Sequence, residues 1–485
     1  MKTTLFILIF VLSIIAKAQP PSKFYSTYGG GGYDEGYDVK QTLDGGYIIT
    51  GSTSSIGLGN TDMYLLKLDS MGVKKFETSF GGVNNEVGKS VVQLSDSSYV
   101  IAGYTSSSGF GGYDIFLVKA DKTGALLWQK TIGGADWDFA NSMTATNDGG
   151  FIIAGTTYSY GRGNADGFIV KTDANGDTIW TKTFGGLNDD EFKSVIQTSD
   201  LNYAIVGYTK SYNDYLGDAW LFKVNQLGDS LKSFSYNFGL EDGFNDLKEL
   251  SSGEIITAGY LTFNNSQKRD GIFNKIGLNG TVDLQTTDGQ TNTDETFYKV
   301  GISNSSFGAY TVLGNSHENG SSFKLEVKMM LLNNNGNYVN GGAVGGSLDD
   351  EFYSFCLTNE KSKGYAAVGY TKSYNSILTD CFFMKYDSLL SFGTSIVGID
   401  EISKNQKNIG ILPNPFNEKI CISSQSDLFI NKIEVISING NLVYFLDKYN
   451  DNCIDLSVLK NGIYILKITD KNGLIYHQKI VKSSN

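Results

Sequence analysis

The chain has 485 residues, of which 19% are charged, and it carries a formal net charge of −12 at pH 7. This acidic balance argues against binding nucleic acid through its phosphates. Four cysteines are too few for a disulfide framework, and the two histidines, His317 and His477, fall in different predicted domains. A histidine-ligated metal centre and a Ser-His-Asp triad are therefore not expected.

Residues 1–18 have the features of a secretion signal. Lys2 precedes a largely apolar run, Leu5–Ile15, and Ala16-Lys17-Ala18 has the small-x-small form of a cleavage site. Cleavage is predicted between Ala18 and Gln19, with a retained membrane anchor as the alternative. No later segment is long and apolar enough to span a bilayer, so no membrane span is expected in the mature chain.

Three sequence features recur about every 52 residues between residues 24 and 390, and each occurs seven times. A glycine closes an apolar run at Gly51, Gly103, Gly155, Gly207, Gly259, Gly314 and Gly369. A lysine ends a second apolar run at Lys67, Lys119, Lys171, Lys223, Lys275, Lys328 and Lys385. A carboxylate precedes the first run at Asp34, Glu86, Asp138, Asp190, Asp242, Asp294 and Asp350.

Each unit also contains four short segments rich in residues that favour strands. In the third unit these are predicted at Asn141–Thr146, Gly150–Thr157, Gly167–Thr172 and Thr178–Phe184, separated by hairpin turns. Seven such units predict an all-β, seven-bladed β-propeller, with an open solenoid as the alternative. Phe24–Tyr28 is expected to complete the seventh blade, in competition with Leu390–Val397.

The segment FYSTYGGGGYDEGYDVKQTLDGGYIITGSTSS (Phe24–Ser55) resembles the SBBP family of β-propeller repeats. The resemblance extends over residues 24–390. It is weakest in the sixth unit, about residues 282–336, which has no Gly-Gly pair. It implies a fold rather than a reaction.

Residues 391–408 lose the repeat and are predicted to be a linker. Residues 409–485 contain six or seven short strand-like runs, which predict a small Ig-like β-sandwich. Cys421 and Cys453 share this domain and could pair. Cys356 and Cys381 fall on the first and third strands of one blade and are expected to be too far apart to bridge.

The C-terminal domain resembles the type A C-terminal sorting domain of the type IX secretion system. The matching residues include Pro413, Asn414, Pro415, Gly440, Gly462 and Tyr464. The resemblance implies a Bacteroidetes-type bacterium, Sec export and a type IX translocon as partner. The expected destination is the extracellular space or the outer-membrane surface. The alternative is a sandwich with a purely structural role.

In a propeller blade, the loops before the first and third strands open on the same face, and here those loops are the longer ones. That face is therefore the expected binding face. The carboxylate series from Asp34 to Asp350 lies there, and we expect it to fix loops by accepting backbone hydrogen bonds. The alternative is a ring of oxygen ligands for Ca²⁺, and no other cofactor is expected.

Tyrosines among small polar residues mark the same loops. They are Tyr158, Tyr160, Tyr212, Tyr215 and Tyr374. Such side chains combine a rigid apolar ring with a hydrogen-bonding tip, so they are candidates for binding glycan or a surface protein. Packing between neighbouring loops is the alternative.

The sequence therefore predicts a secreted or cell-surface, non-catalytic propeller for adhesion or polysaccharide capture. An extracellular polysaccharide hydrolase or lyase is one alternative, and a structural surface-layer component is another. No catalytic residues are predicted, because every unit carries an equivalent acid and none is singled out.

Overall fold

The structure is a computed structural model. It describes residues 24–212, 216–263, 268–289, 293–303, 308–318, 324–344, 348–359, 363–373, 378–390, 409–412, 416–424, 430–437, 442–447, 453–470 and 475–483. The chain divides into two compact units, residues 1–396 and 397–485.

The first unit consists of four-stranded antiparallel sheets, seven of them among the described residues. Blades one to three contain β2 (Asp34–Gln41), β3 (Tyr47–Thr53), β4 (Asp62–Leu68) and β5 (Lys74–Phe80); β6 (Glu86–Gln93), β7 (Tyr99–Thr105), β8 (Asp114–Ala120) and β9 (Leu126–Ile132); and β10 (Asp138–Ala145), β11 (Phe151–Thr157), β12 (Asp166–Thr172) and β13 (Thr178–Phe184).

Blades four to six contain β14 (Asp190–Gln197), β15 (Tyr203–Thr209), β16 (Asp218–Val224) and β17 (Ser230–Tyr236); β18 (Asp242–Glu249), β19 (Ile255–Thr262), β20 (Arg269–Ile276) and β21 (Val282–Asp288); and β22 (Thr293–Ile302), β23 (Tyr310–Glu318), β24 (Lys324–Leu332) and β25 (Tyr338–Val344). The seventh blade contains β26 (Asp350–Leu357), β27 (Tyr365–Thr371), β28 (Asp380–Tyr386) and β1 (Phe24–Tyr28).

The ring closes as predicted, because β1 is the outermost strand of the seventh blade. Phe24 pairs with Lys385 and Tyr28 with Cys381. The first strand of each blade packs on the first strand of the next, including β26 on β2. Closure removes the exposed sheet edges that an open solenoid would leave. The seven-bladed propeller prediction is confirmed, and the competing segment beyond Leu390 lies outside the described residues.

The recurring glycine has a steric cause. Each first strand carries a β-bulge, between Gly36 and Asp38 in the first blade, and the glycine of the second strand lies opposite it. A Cβ on Gly51 would lie 1.8 Å from the carbonyl oxygen of Glu35. The same approach recurs at Gly103, Gly155 and Gly207. No side chain fits there, so the backbone geometry fixes the repeat.

The recurring lysine ties the third strand to the turn below it. Lys171 is buried, and its Nζ donates 3.1 Å to Asp148 Oδ1 and 2.8 Å to the carbonyl oxygen of Thr172. Lys67 makes the same pair of contacts with Asp44 and Leu68. The buried ammonium is thereby paired and hydrogen-bonded, as a buried charge requires.

The hydrophobic core lies between neighbouring blades rather than in one central mass. At the closure, Phe24, Val39 and Tyr64 pack with Val368 and Phe383 of the seventh blade. Equivalent clusters join the other neighbours, so each sheet buries both faces.

The second unit has two sheets. They contain β29 (Ile409–Leu412), β30 (Lys419–Ser424) and β33 (Cys453–Asp455); and β32 (Leu442–Asp447), β31 (Ile430–Ser437), β34 (Gly462–Asp470) and β35 (Ile475–Lys482). Ile420 and Ile454 of one sheet share a core with Val435 and Leu466 of the other, which gives a small sandwich. Cys421 and Cys453 lie opposite each other and form a disulfide, whereas Cys356 and Cys381 are free. Within the described ranges, no helix is long and apolar enough to cross a bilayer.

Candidate functional site

The upper face is defined as the end of the propeller where the first and third strands of each blade begin. Successive residues of a strand point to opposite sides, so the first two residues of each first strand have different surroundings. Asp190 is buried in its blade, whereas Glu191 is half-buried and pairs with Lys193 at 2.6 Å. The first residue of the strand therefore has a structural role inside the blade, and the side chain of the second faces the central opening of the ring.

The buried carboxylates hold the loops of their own blades. Asp190 accepts hydrogen bonds from Thr209 Oγ1, from Ser211 Oγ at 2.6 Å and from Gly186 N at 2.8 Å. Carboxylates in the same position are Asp34, Glu86, Asp138, Asp242 and Asp350. The Gly-Gly pair, the acid and the Gly-x-Thr-x-Ser segment thus form one hydrogen-bonded circuit, which explains their joint recurrence.

The sixth blade requires a correction. The 52-residue step assigns Asp294 to the carboxylate series, but the strand register places Glu295 there, opposite Ser316. Glu295 is buried and accepts from Thr293 Oγ1 and from Ser316 Oγ at 3.2 Å. Asp294 instead lies opposite His317 and accepts 3.0 Å from the backbone N of Arg269. The unit deviates from the repeat, so counting residues could not fix its register.

The carboxylate series is not gathered around one point, because each member is bonded within its own blade. Across the part of the chain that the structure describes, no three His, Cys, Asp or Glu side chains form a group that could hold a metal ion. These contacts favour the loop-anchoring interpretation of the series over the Ca²⁺ ring.

Residues from successive blades meet at the central opening, which we call the channel mouth: Glu35, Tyr37, Lys89, Glu191, Lys193, Tyr298, Glu351 and Tyr353. Lys89 Nζ lies 3.6 Å from the ring centre of Tyr37, and the rings of Tyr37 and Tyr353 are 4.9 Å apart. Burial lowers the pKa of Lys89 to about 8. The mouth thus presents carboxylates, ammonium groups and phenols together.

Glu351 has an unusual environment in this mouth. It accepts from Tyr353 Oη at 2.8 Å, Asn315 Nδ2 at 2.8 Å and Tyr298 Oη at 3.3 Å. Burial raises the pKa of this carboxyl, and the negative charge of Glu35 adds to the rise. Among the described residues, no Lys, Arg or His nitrogen lies within ion-pair distance of it.

Aromatic residues of the second and third blades form a cluster beside the mouth, which we call the aromatic platform: Tyr104, Tyr113, Trp137, Phe139 and Tyr158. Their ring centres are 5.0 Å apart for Tyr104 and Phe139, and 5.9 Å apart for Trp137 and Tyr158. Trp137 is 49% exposed and Tyr158 is 43% exposed. Two large rings therefore remain open to solvent on a packed aromatic base.

The other predicted tyrosines are placed differently. Tyr160 is half-exposed, and its hydroxyl donates 2.7 Å to the carbonyl oxygen of Gly133. Tyr212 makes the equivalent 3.2 Å bond to Gly185. These two rings brace the loops between blades, and only Tyr158 joins the platform. Tyr215 and Tyr374 lie outside the described residues.

A cavity of 620 Å³ opens on the upper face around the sixth blade, and we call it the blade-six pocket. Its polar wall includes Arg269, Asp294, Asn315, His317 and Glu351. Arg269 pairs with Glu241 at 3.0 Å and lies 4.2 Å from the ring centre of Tyr260. The volume of the blade-six pocket lies within the range of small-molecule sites.

The platform and the pocket lie on the face that the sequence predicts for binding, but the sequence analysis identified neither. One signal was present: a glutamate follows the structural aspartate in Asp34-Glu35, Asp190-Glu191 and Asp350-Glu351. Strand alternation turns that second acid towards the channel. The irregular sixth unit was a second signal, since the pocket forms where the repeat is least regular.

The described sorting-motif residues belong to the fold of the second unit. Tyr464 is buried, and its hydroxyl donates 2.8 Å to the carbonyl oxygen of Lys460. Gly462 begins β34. Pro413, Asn414, Pro415 and Gly440, like the cleavage pair Ala18 and Gln19, lie outside the described residues.

Residues 410–483 match the family described as the secretion system C-terminal sorting domain. The chain is 26% identical to the regulatory protein FlaEY of Caulobacter vibrioides in an alignment 231 residues long, which covers 41% of this chain and 23% of that protein. The chain thus spans about a quarter of the length of this curated relative.

Solved structures resemble the chain only distantly. Hydrazine synthase of Kuenenia stuttgartiensis is 11% identical with a TM-score of 0.47, and the match covers 74% of this chain and 95% of that one. An extracellular domain of a one-component system from B. thetaiotaomicron is 12% identical with a TM-score of 0.43, covering 94% and 60%. The fold assignment rests on the sheets described above.

The fold and the family match define a class of protein, a β-propeller followed by an export domain. The sorting domain directs this chain through type IX secretion to the cell surface or the extracellular space.

Proposed function

We propose that the propeller is a non-catalytic binding module that holds carbohydrate on its upper face in adhesion or polysaccharide capture. The observation that carries this proposal is the aromatic platform, where Trp137 and Tyr158 remain half-exposed although neighbouring rings are packed. Sugar rings stack on such faces through their C–H groups. The two exposed rings pack against other rings of the platform, so they are already held in place before a ligand binds.

The channel mouth supplies the polar half of such a site. Glu191 and Lys193 offer an acceptor and a donor 2.6 Å apart, and hydroxyl groups can engage both. Because most of these groups are already hydrogen-bonded, they are held in place before a ligand arrives. Preorganisation of this kind lowers the ordering cost of binding.

The export route supports a role outside the cell, and the glycans found there are its natural ligands. A protein ligand would be served by the same exposed aromatic groups, so the test must separate the two.

The test is a glycan-array screen of the purified protein, with and without EDTA, beside Trp137→Ala. We expect binding that survives EDTA and is lost in the variant. Ile179→Ala removes an exposed side chain from an outer strand and serves as the control. Absence of binding to any glycan would contradict the proposal and favour a protein ligand or a structural role.

A further inference from the structure

The blade-six pocket is the place where the repeat gives way to unique residues. Its wall contains His317, the one histidine of residues 24–390, and Arg269, one of two arginines in that range. The strands around it, β22 and β23, have ten and nine residues, against eight and seven in the first blade. The residues of the other blades follow the repeat, whereas the side chains of this pocket do not.

Among the described residues, Glu351 has no ion-pair partner, unlike two other carboxylates nearby. Arg269 pairs with Glu241 at 3.0 Å, and Lys193 in the adjoining cavity pairs with Glu191 at 2.6 Å. Glu351 is held by two phenols and an amide, all neutral. Glu351 is half-buried, and the ammonium group of Lys89, which its charge reaches, lies beyond ion-pair distance. A carboxylate in such a place is normally paired with a cation, so the position next to Glu351 suits one.

A second polar group of the pocket also lacks a partner. Thr262 is 7% exposed and lines the cavity, and its Oγ1 has no hydrogen-bond partner within the described part of the chain. Buried hydroxyl groups are usually satisfied, and an unsatisfied one at a cavity wall marks a place where a ligand or water donates or accepts. Glu351 and Thr262 together fit a small polar group bearing N–H donors.

We propose that the blade-six pocket binds a sugar unit with a free, protonated amino group, which places its ammonium beside Glu351. The inference rests on the carbohydrate-binding function proposed above and names the kind of sugar. A protonated amine supplies both the missing cation and the N–H donors. A neutral sugar supplies only hydroxyl groups and leaves the carboxylate without a counter-charge.

Three series of β-1,4-linked hexasaccharides test the proposal, because they differ only at carbon 2 of each sugar: glucosamine, N-acetylglucosamine and glucose. Calorimetric titration of the full protein at pH 7 should give roughly tenfold tighter binding of the glucosamine series, the value of one charge-assisted contact. Glu351→Gln should abolish this preference, so that the glucosamine series binds no more tightly than the two neutral series.

The net charge of −12 attracts any polycation, so a matched variant is needed. Asp189→Asn removes one negative charge from an upper-face loop next to Asp190, outside the pocket, and it should retain the preference. A preference that persists in Glu351→Gln would overturn the assignment, because the amine would then lie elsewhere.

The pH dependence gives an independent readout. The groups that face Glu351 are Glu35, Lys89, Tyr298, Tyr353, Tyr370 and Asn315. Burial raises the pKa of Glu351 and lowers that of Lys89 to about 8. As the pH falls, Glu351 gains a proton and the preference for the amine should fall towards unity. Equal binding of all three series at pH 7 would overturn this inference alone. Binding of none of the three, while another glycan of the array binds, would also overturn this inference and leave the proposed function standing.

Discussion

Asp350 and Glu351 are consecutive residues of β26, and their carboxylates bind different partners. Asp350 accepts hydrogen bonds from Thr371 Oγ1 and from Ser373 Oγ at 2.7 Å inside its blade. Glu351 faces Tyr298 and Asn315 of the sixth blade. Strand alternation thus separates a structural acid, repeated around the ring, from an acid that belongs to one pocket.

Loss of a structural acid should destabilise the propeller. We expect Asp190→Ala to lower the free energy of unfolding by roughly 2–4 kcal/mol, because it leaves Thr209 and Ser211 without their acceptor. Urea unfolding measures the change. Asp189→Ala removes the neighbouring, half-exposed carboxylate and should change stability by less than about 1 kcal/mol. Equal effects of the two variants would refute the circuit described here.

Ring closure makes β1 essential although it comes from the opposite end of the propeller sequence. Phe24 is buried and packs on Phe383 with ring centres 5.8 Å apart. Phe24→Ala should cost roughly 3–5 kcal/mol, the usual penalty for such a core truncation. Leu58→Ala, at a highly exposed position, is the control. A Phe24→Ala variant as stable as the control would mean that β1 does not close the ring in solution.

The carboxyl group of Glu351 should reduce stability at neutral pH. Burial raises its pKa, so the folded state favours the protonated form and loses stability as the pH rises through that value. Glu351→Gln should therefore gain roughly 0.5–2 kcal/mol at pH 7, with the gain shrinking towards pH 4. Thermal unfolding at both pH values measures this. Glu241→Gln, which removes an ion-paired carboxylate, should show no gain.

The Cys421–Cys453 disulfide should stabilise the C-terminal unit. Linking residues 32 apart in sequence contributes roughly 3–4 kcal/mol by restricting the unfolded chain. Thiol titration of the denatured, unreduced protein should find two free thiols, those of Cys356 and Cys381, and reduction should raise the number to four. Four thiols before reduction would contradict the pairing.

The sequence was sufficient for the repeat and the ring closure, because both rest on local rules. The glycine opposite a bulge and the acid before a strand recur wherever the backbone recurs. The register of β22 was not predictable, since Asp294 and Glu295 are adjacent acids and only strand pairing distinguishes them. The aromatic platform was missed because Tyr104 and Trp137 come from different blades, and no sequence spacing shows that their neighbourhoods meet.

Carbohydrate binding at the aromatic platform is tested most directly by tryptophan fluorescence during titration with a glycan selected from the array. Trp137 is about half exposed, whereas Trp220 is fully buried. We expect a saturable blue shift that disappears in Trp137→Phe. A shift of the same size in that variant, or glycan binding without any shift in the unmodified protein, would contradict it.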